Sequence, residues 1–413
     1  MPELDPADQR AFALEVAETL RAAGYEALWA GGCVRDQLLG RTPKDYDVAT
    51  NAQPQTIRQV FGRERTIAVG AAFGVIAVVG PKTAGLVEVT TFREDAQYSD
   101  GRRPDSVTFS TAEHDAQRRD FTINGLFYDP LAQRVIDYVG GQEDLRGQTV
   151  RAIGDARRRF SEDKLRLLRA VRFAATFQFS IEAETLAAVG EMAAELPVVS
   201  PERIAAEMRR MLVDGHRVRA VELLAETGLM PVIAPEIAAI YANGWEKSAW
   251  EETLAAAGRL ACPDFPLALA ALCHRLAPAD IHTLARRWKL SNHERELAAW
   301  LVEQLPTVRR AAELPWPVLQ RLLIAVHIEP LLELLEAVEG EAHAGLRLCR
   351  ERLAWPIAKL NPPPLVTGDD LIAHGLPPGK NFRTILDQVR DAQLEGKLTT
   401  QAEALALAKQ LAN

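Results

Sequence analysis

The sequence predicts an α+β fold: an N-terminal head built on a mixed β-sheet flanked by helices, followed by an all-α remainder. Three observations predict it. Short β-branched runs separated by turn residues crowd the stretch between residues 27 and 92. From about residue 150 onward strand signals disappear and apolar residues recur at helical spacing. At 413 residues the chain is also too long for one simple core, so more than one domain is expected.

Residues 6–23 carry Phe12, Leu14, Val16 and Leu20 at helical spacing behind Asp5 or Asp8, and Gly24 ends the helix. A strand over 27–30 runs into Gly31-Gly32. An amphipathic helical turn follows over 34–39, and Gly40 stops it. A second strand, 45–49, opens with Asp45-Tyr46-Asp47. Gln53-Pro54 opens a helix over 55–61. Strands follow at 68–69, at 74–79 before Gly80-Pro81, and at 86–92, where Leu86 to Phe92 alternates in period two. These make a mixed sheet with helices on one side. The polar segment 93–107, with Asp100-Gly101 and Pro104, reads as a mobile loop. Helices are then expected at 160–177, 201–213, 217–227, 254–260, 265–276, 279–288, 293–305, 315–326 and 330–338. Asn361 and the three prolines after it mark a stiff linker before a last unit with helices at 369–374, 381–395 and 400–412. No period of 20–50 residues repeats, which disfavours a solenoid.

Composition narrows the class. With 48% hydrophobic and 25% charged residues the chain is globular. An acidic N-terminus and the lack of a long apolar run argue against a signal peptide, a transit peptide and a membrane span. Cys33, Cys262, Cys273 and Cys349 show neither metal-ligand spacing nor a disulfide framework, so a reducing cytoplasm is expected. The net charge of −8 leaves room for a local basic face. Residues 146–172 hold nine Lys/Arg against three acids, a local +6.

Three clusters carry chemistry. Asp45 and Asp47, at i and i+2 of a strand, point to one face and can hold Mg²⁺ through oxygen ligands. Just upstream, Gly31 and Gly32 let the backbone approach an anion at a helix start. A phosphate cradle followed by a metal pair describes phosphoryl or nucleotidyl transfer. Glu88 sits mid-strand between Val87 and Val89, as a solvent-facing edge residue or a third acid on the catalytic sheet. The second cluster is Arg118-Arg119-Asp120-Phe121-Thr122-Ile123-Asn124. Its arginine forks suit phosphate or ribose, Asp120 suits a helix cap, and Asn124 can meet a sugar hydroxyl or order the turn. In the third, Leu165, Leu168 and Val171 form an apolar stripe. Asp163, Arg166, Arg169 and Arg172 recur every three residues on a neighbouring helix face, behind Ser161 as N-cap. His114-Asp115 reads as a helix-surface pair. His274, His282, His293 and His327 read as structural, and Trp245, Trp250, Trp288 and Trp300 as core.

In this order the clusters resemble the class II tRNA nucleotidyltransferases, the CCA-adding enzymes, and the bacterial poly(A) polymerases grouped with them. Gly31-Gly32-Cys33-Val34-Arg35-Asp36 with Asp45-Tyr46-Asp47 matches their first motif, and Arg118 to Asn124 the second. Asp137-Tyr138-Val139-Gly140-Gly141 with Asp144-Leu145 resembles the third, a hinge. Glu162-Asp163 with Arg166 matches the fourth, and Glu202-Arg203-Ile204 with Glu207 the fifth. The match covers about residues 25–215. His114 departs from the acid common at its position, and no phosphohydrolase His-Asp set follows.

The resemblance implies a nucleotidyltransferase head at 1–148, a base-recognising helical neck at 149–215, a helical body at 216–360 and a tRNA-contacting tail at 361–413. It implies Asp45 and Asp47 as Mg²⁺ ligands; Glu88, from its own place in the strand, is the candidate for a further catalytic acid. Gly32, Arg35 and Arg119 would meet the triphosphate and sugar of CTP or ATP, and Gly31 and Asn124 join them as nucleotide-binding candidates on the residue reading above. Asp163 and Arg166 would read the base, supported by Arg169 and Arg172. Cytosine and adenine both offer an amine beside an acceptor nitrogen, which a carboxylate and an arginine complement. Guanine and uracil present the reverse and are repelled. Two metals would activate the RNA 3′-OH and stabilise departing pyrophosphate. The expected reaction adds CCA, or its terminal A, to the tRNA 3′ end. Poly(A) addition and CC-only or A-only addition are the alternatives, and a vestigial tRNA-binding protein is the non-enzymatic one. No protein partner is inferable. The absence of G-x-G-x-x-G after a strand disfavours a dinucleotide oxidoreductase.

Overall fold

The computed structural model describes all residues except 1–3, 71–73, 96–106, 243–246, 377–378, 380 and 413. Two compact units divide the chain, Met1–Ala238 and Ala239–Asn413. The first holds the sheet. Helix α1 (Pro6–Ala22), capped by the Asp5 carboxylate, leads to β1 (Ala27–Ala30), α2 (Gly32–Leu38), β2 (Asp47–Thr50) and α3 (Pro54–Phe61). Then come β3 (Thr66–Gly70), β4 (Val75–Val79), β5 (Leu86–Thr91), β6 (Arg93–Asp95), β7 (Val107–Phe109) and α4 (Ala112–Gln117). After α4 lie β8 (Phe127–Asp129), β9 (Arg134–Ile136) and α5 (Gly141–Arg146).

Seven strands pair in the order β3-β4-β5-β2-β1-β8-β9. Only β2 and β5 are parallel; every other neighbouring pair is antiparallel, giving the expected mixed sheet. All four residues of β1 are buried, as a strand covered on both faces requires. Leu28 and Ala30 pack with Ala112 and Ala116 of α4 on one face. Trp29 points the other way, and its indole N–H donates to the Ala13 carbonyl of α1 at 3.2 Å. Helices therefore cover both faces of the sheet, where one was expected. β8, of three residues, pairs with β1, and the equally short β9 pairs with β8; together they extend the sheet although their sequence gives no period long enough to read.

The polar segment 93–107 is anchored at its ends, where β6 and β7 pair antiparallel. The rest of it, including Asp100-Gly101 and Pro104, lies outside the described residues. β2 begins at Asp47, so Asp45 sits just before the strand. The expected helix over 160–177 is two helices, α6 (Ala156–Glu162) and α7 (Leu165–Phe177). Asp163 breaks them with an extended backbone (φ −149°). Ser161 lies inside α6 with its hydroxyl donating to the Arg158 carbonyl, and Asp155 caps that helix. Two further helices, α8 (Ala183–Met192) and α9 (Pro201–Leu212), follow in the same unit. Thr149–Val150 and Ser180–Ile181 add a small parallel pair beyond the point where strands were expected to end.

The second unit is helical throughout its described residues. Every residue of the helix Phe265–Cys273 is buried, and its uniform hydrophobicity suits a central element. Trp288 is buried, Trp250 packs on Tyr241 and Trp300 on His327. Trp245 lies outside the described residues. Val366, Leu371, Ile385, Val389, Ala404 and Ala408 form a separate small core near the C-terminus. No helix among the described residues is long and apolar enough to cross a membrane.

The Asp137–Gly141 stretch is a tightly built corner. The Asp137 carboxylate accepts from the backbone N–H groups of Val139, Gly140, Gly141 and Gln142 at 2.9–3.1 Å, satisfying the open donors of α5. A Cβ on Gly141 would overlap the Thr122 carbonyl oxygen, so the corner packs directly on the second cluster. Gly141→Ala is expected to cost about 1–3 kcal/mol, seen as a lower first melting transition of the full chain.

Candidate active site

The sheet register places the first cluster. Ala30 pairs with Asp47, and Asp47 with Glu88, so positions on β1, β2 and β5 line up on one face. Glu88 is on an interior strand, not at an edge, and stands beside Asp47. On this face lies a cavity of about 610 Å³. Its wall includes Gly31, Gly32, Arg35, Asp45, Asp47, Glu88, Arg118, Arg119, Asp120, Asn124, Asp163, Arg166, Arg169 and Arg203. One concavity thus gathers all three sequence clusters, and its size suits a nucleotide.

Asp47 opens onto the cavity, yet its carboxyl is raised to about 6, first by loss of water to the surrounding protein, then by the charges of Asp45 and Glu88, with Arg119 opposing them. Among the described residues no three acidic, His or Cys side chains converge closely enough to cage an ion unaided. An oxygen-only pair with a repelling neighbour fits a hard cation that completes its shell with water and substrate phosphate oxygens. Cys33, buried next to this pair, is pushed up to about 12 mainly by desolvation, which makes it an inert thiol.

Gly31 has φ +70° and caps α2. A Cβ there would come within 2.7 Å of Arg119 Nη1. Arg119 is held from behind by Asp115, whose side chain is completely buried. Asp115 Oδ2 accepts from Arg119 Nε and Nη2 at 3.2 and 3.0 Å. Oδ1 accepts from Arg118 Nε and Nη2 at 2.9 and 2.6 Å. Burial alone would raise this carboxyl, but Arg119 and Arg118 outweigh it and hold it below the usual range. Asp115 is therefore the joint anchor of both arginines, not a surface residue. The signal for it was present as Asp at i with Arg at i+3 and i+4 on a helix. Its neighbour His114 bonds the Ser110 hydroxyl.

Asp120 does more than cap a turn. It accepts from Asn124 Nδ2 at 3.0 Å and from Arg169 Nε at 2.8 Å. Burial would raise its carboxyl, but Arg169, Asn124 and Arg166 drive it well below the ordinary range. Asn124 Oδ1 in turn accepts from Arg35 Nη1 at 2.5 Å. Arg35 also bonds Asp36 and lies over the Phe177 ring, 4.5 Å from its centroid.

In the third cluster the helix break turns Asp163 toward Arg203, a residue of the fifth motif that sequence reasoning left out of the site. Arg203 Nη1 and Nη2 donate to Asp163 Oδ1 and Oδ2 at 3.1 and 2.6 Å. The Leu165 N–H also donates to Oδ1, which leaves Oδ2 a free lone pair. Arg166 Nη1 donates to Glu162 and to the Arg159 carbonyl, while its Nε has no hydrogen-bond partner among the described residues. Arg172 is the one expected residue absent from the cavity wall. Its Nε donates to Glu207 at 2.5 Å, and its guanidinium lies over Phe173.

A carboxylate pair on a mixed sheet, an arginine-lined cavity and a helical neck carrying a second carboxylate–arginine set define a metal-dependent nucleotidyltransferase. The family described as Poly A polymerase head domain matches residues 27–151. Residues 178–241 match the probable RNA and SrmB-binding site of polymerase A, and 266–408 the putative tRNA nucleotidyltransferase domain 2. The CCA-adding enzyme of Geobacillus stearothermophilus is 36% identical over 405 residues, 95% of each chain. The crystal structure of the Bacillus stearothermophilus CCA-adding enzyme in complex with CTP covers 97% of this chain and 96% of its own, with TM-score 0.74 and 32% identity. A Thermotoga maritima CCA-adding enzyme complexed with tRNA shares the fold at TM-score 0.69 and 19% identity, covering 100% and 97%. The chain belongs to the CCA-adding enzyme family.

Because its folded-state carboxyl lies above the ordinary value of 3.8, ionised Asp47 costs stability at neutral pH. Asp47→Asn is expected to abolish nucleotide incorporation while raising the melting temperature of metal-free protein by about 2 °C at pH 7.5, after discounting for solvent screening. That gain shrinks as pH falls through 6 toward 5, and a loss of stability at pH 7.5 would contradict the assignment. Asp115→Asn is expected to raise KM for the nucleotide about tenfold, through loosening of Arg118 and Arg119.

Proposed function

We propose that this chain is a template-independent RNA nucleotidyltransferase that adds CCA, or its terminal A, to the 3′ end of tRNA from CTP and ATP. The observation that carries this reading is the neck wall of the cavity. Asp163, locked bidentately by Arg203, and Arg166, with an uncommitted Nε, stand in the same cavity as the carboxylate pair. Asp163 Oδ2 accepts the exocyclic amine of cytosine or adenine, and Arg166 donates to the adjacent ring nitrogen. A carbonyl facing Asp163 would meet only lone pairs, so UTP and GTP are rejected. The names of the relatives support this choice, since one solved member is a complex with CTP.

The RNA 3′-OH gives up its proton to solvent as its oxygen bonds to the α-phosphorus, the bond from the α-phosphorus to the bridging oxygen breaks, and pyrophosphate leaves with that electron pair. Gly31 and Gly32 allow the close approach of the triphosphate, and Arg119 meets its negative charge. Arg35 and Asn124 bound the sugar side of the cavity. Arg169 is held by Asp120 beside the base, and Arg172 supports the neck from behind through Glu207. Asp45 and Asp47 would hold Mg²⁺, with Glu88 as a third acid beside them, and the ion would supply Lewis acidity. The boundaries 1–148 for the head, 149–215 for the neck, 216–360 for the body and 361–413 for the tail belong to the same proposal. So does a cytoplasmic location, supported by four free cysteines.

Incubation with tRNA lacking its terminus and each NTP separately tests the reading. C is expected from CTP alone and A only after CC. Processive A on unrelated RNA would indicate poly(A) polymerase, and A addition confined to tRNA already ending in CC would mark an A-adder. Arg203→Ala is expected to lower kcat/KM for CTP roughly 10- to 100-fold and to narrow the preference over UTP, as Asp163 loses its bidentate hold.

A further inference from the structure

The second unit carries an aromatic and cationic patch that no part of the nucleotidyl-transfer reading uses. Trp316, at the start of the helix Trp316–Leu323, and Trp355, just after the helix Ala344–Leu353, are half-buried with ring centroids 5.3 Å apart. Arg352 Cζ lies 4.0 Å from the Trp355 centroid and 6.0 Å from that of Trp316. Lys359 Nζ lies 3.6 Å from the Trp355 centroid. Ile357, between Trp355 and Lys359 in sequence, is 71% exposed.

The charge pattern is unusual for this chain. Its net charge is −8, yet residues 344–360 hold Arg347, Arg350, Arg352 and Lys359 against Glu351 alone. Many arginines of the neck and body are neutralised by a carboxylate; in the second unit Arg350 meets Glu336, Arg321 meets Asp391 and Arg309 meets Glu339. Arg352 and Lys359 have no ion-pair partner among the described residues and are instead held over an indole. A cation fixed on an aromatic ring keeps its full charge and has lost rotamer freedom before any anion arrives. Two such cations beside half-exposed indoles match a sugar-phosphate backbone, with phosphates on the cations and a ribose or base against the rings.

We propose that Trp316, Trp355, Arg352 and Lys359 form an RNA-docking surface on the second unit. The proposal rests on the reading that the chain acts on tRNA, and it adds the place where this unit grips the RNA. An interior packing role would account for the indoles, but it gives no reason for leaving two cations without carboxylates at a partly open surface.

The test uses the full chain and a tRNA transcript lacking CCA at 50–200 mM KCl, with tRNA varied at saturating CTP and CTP varied at saturating tRNA. For the Arg352→Glu/Lys359→Glu double variant, KM for tRNA is expected to rise about tenfold, with KM for CTP and kcat within twofold of wild type. The salt slope of tRNA binding is expected to fall by about 1–2. Lys359→Gln alone, at an exposed position, is expected to give a smaller rise of the same kind and keeps the test open if the double variant melts early. Unchanged tRNA KM and salt slope in a normally melting variant would overturn the docking surface. Wild-type protein that adds no C to this tRNA would instead overturn the functional reading beneath it.

Discussion

The buried carboxylate of Asp120 joins what the rest of the site depends on. One of its oxygens accepts from Asn124, which orients Arg35, and the other from Arg169 of α7. The chain Asp36, Arg35, Asn124, Asp120, Arg169 therefore runs from the helix after β1, through the second cluster, into the neck. A carboxylate with this much compensation stays ionised and fixes its partners. The elements proposed to meet the sugar and those proposed to face the base are set against each other by a hydrogen-bonded relay rather than by apolar packing alone.

The neck shows how a basic sequence segment becomes a nearly neutral structural one. Residues 146–172 carry a local +6, but acids from elsewhere meet most of those cations: Asp144 with Arg151, Glu191 with Arg157, Glu195 with Lys164, Asp120 with Arg169 and Glu207 with Arg172. What faces the cavity is therefore a specific set of donors and acceptors, not a diffuse positive field. Such a wall suits discrimination between bases better than indiscriminate attraction of phosphate.

Much of this was legible in the sequence where chemistry and local period coincided. The strands 27–30 and 86–91, the glycines at 31 and 32, and the three charged clusters converge on one cavity. Features that depend on partners distant in the chain were hidden. The break at Asp163 is only half local: the Leu165 N–H bonds its carboxylate, but the bidentate hold comes from Arg203, forty residues on. β8 and β9 are too short to show a period and are strands only because β1 offers β8 an edge and β8 in turn offers one to β9. Asp115 read as a surface residue because two arginines following a carboxylate resemble a solvated helix face until burial is known.

Gly31 and Arg119 lie far apart in sequence, yet they occupy one volume: the left-handed backbone of the first excludes most residues, and the guanidinium of the second fills the space a side chain would need. A side chain at 31 would have to push Arg119 Nη1 away from the Asn124 carbonyl and strain the guanidinium's hold on Asp115. The smallest residue in the first cluster thus sets where one of the cavity's cations stands.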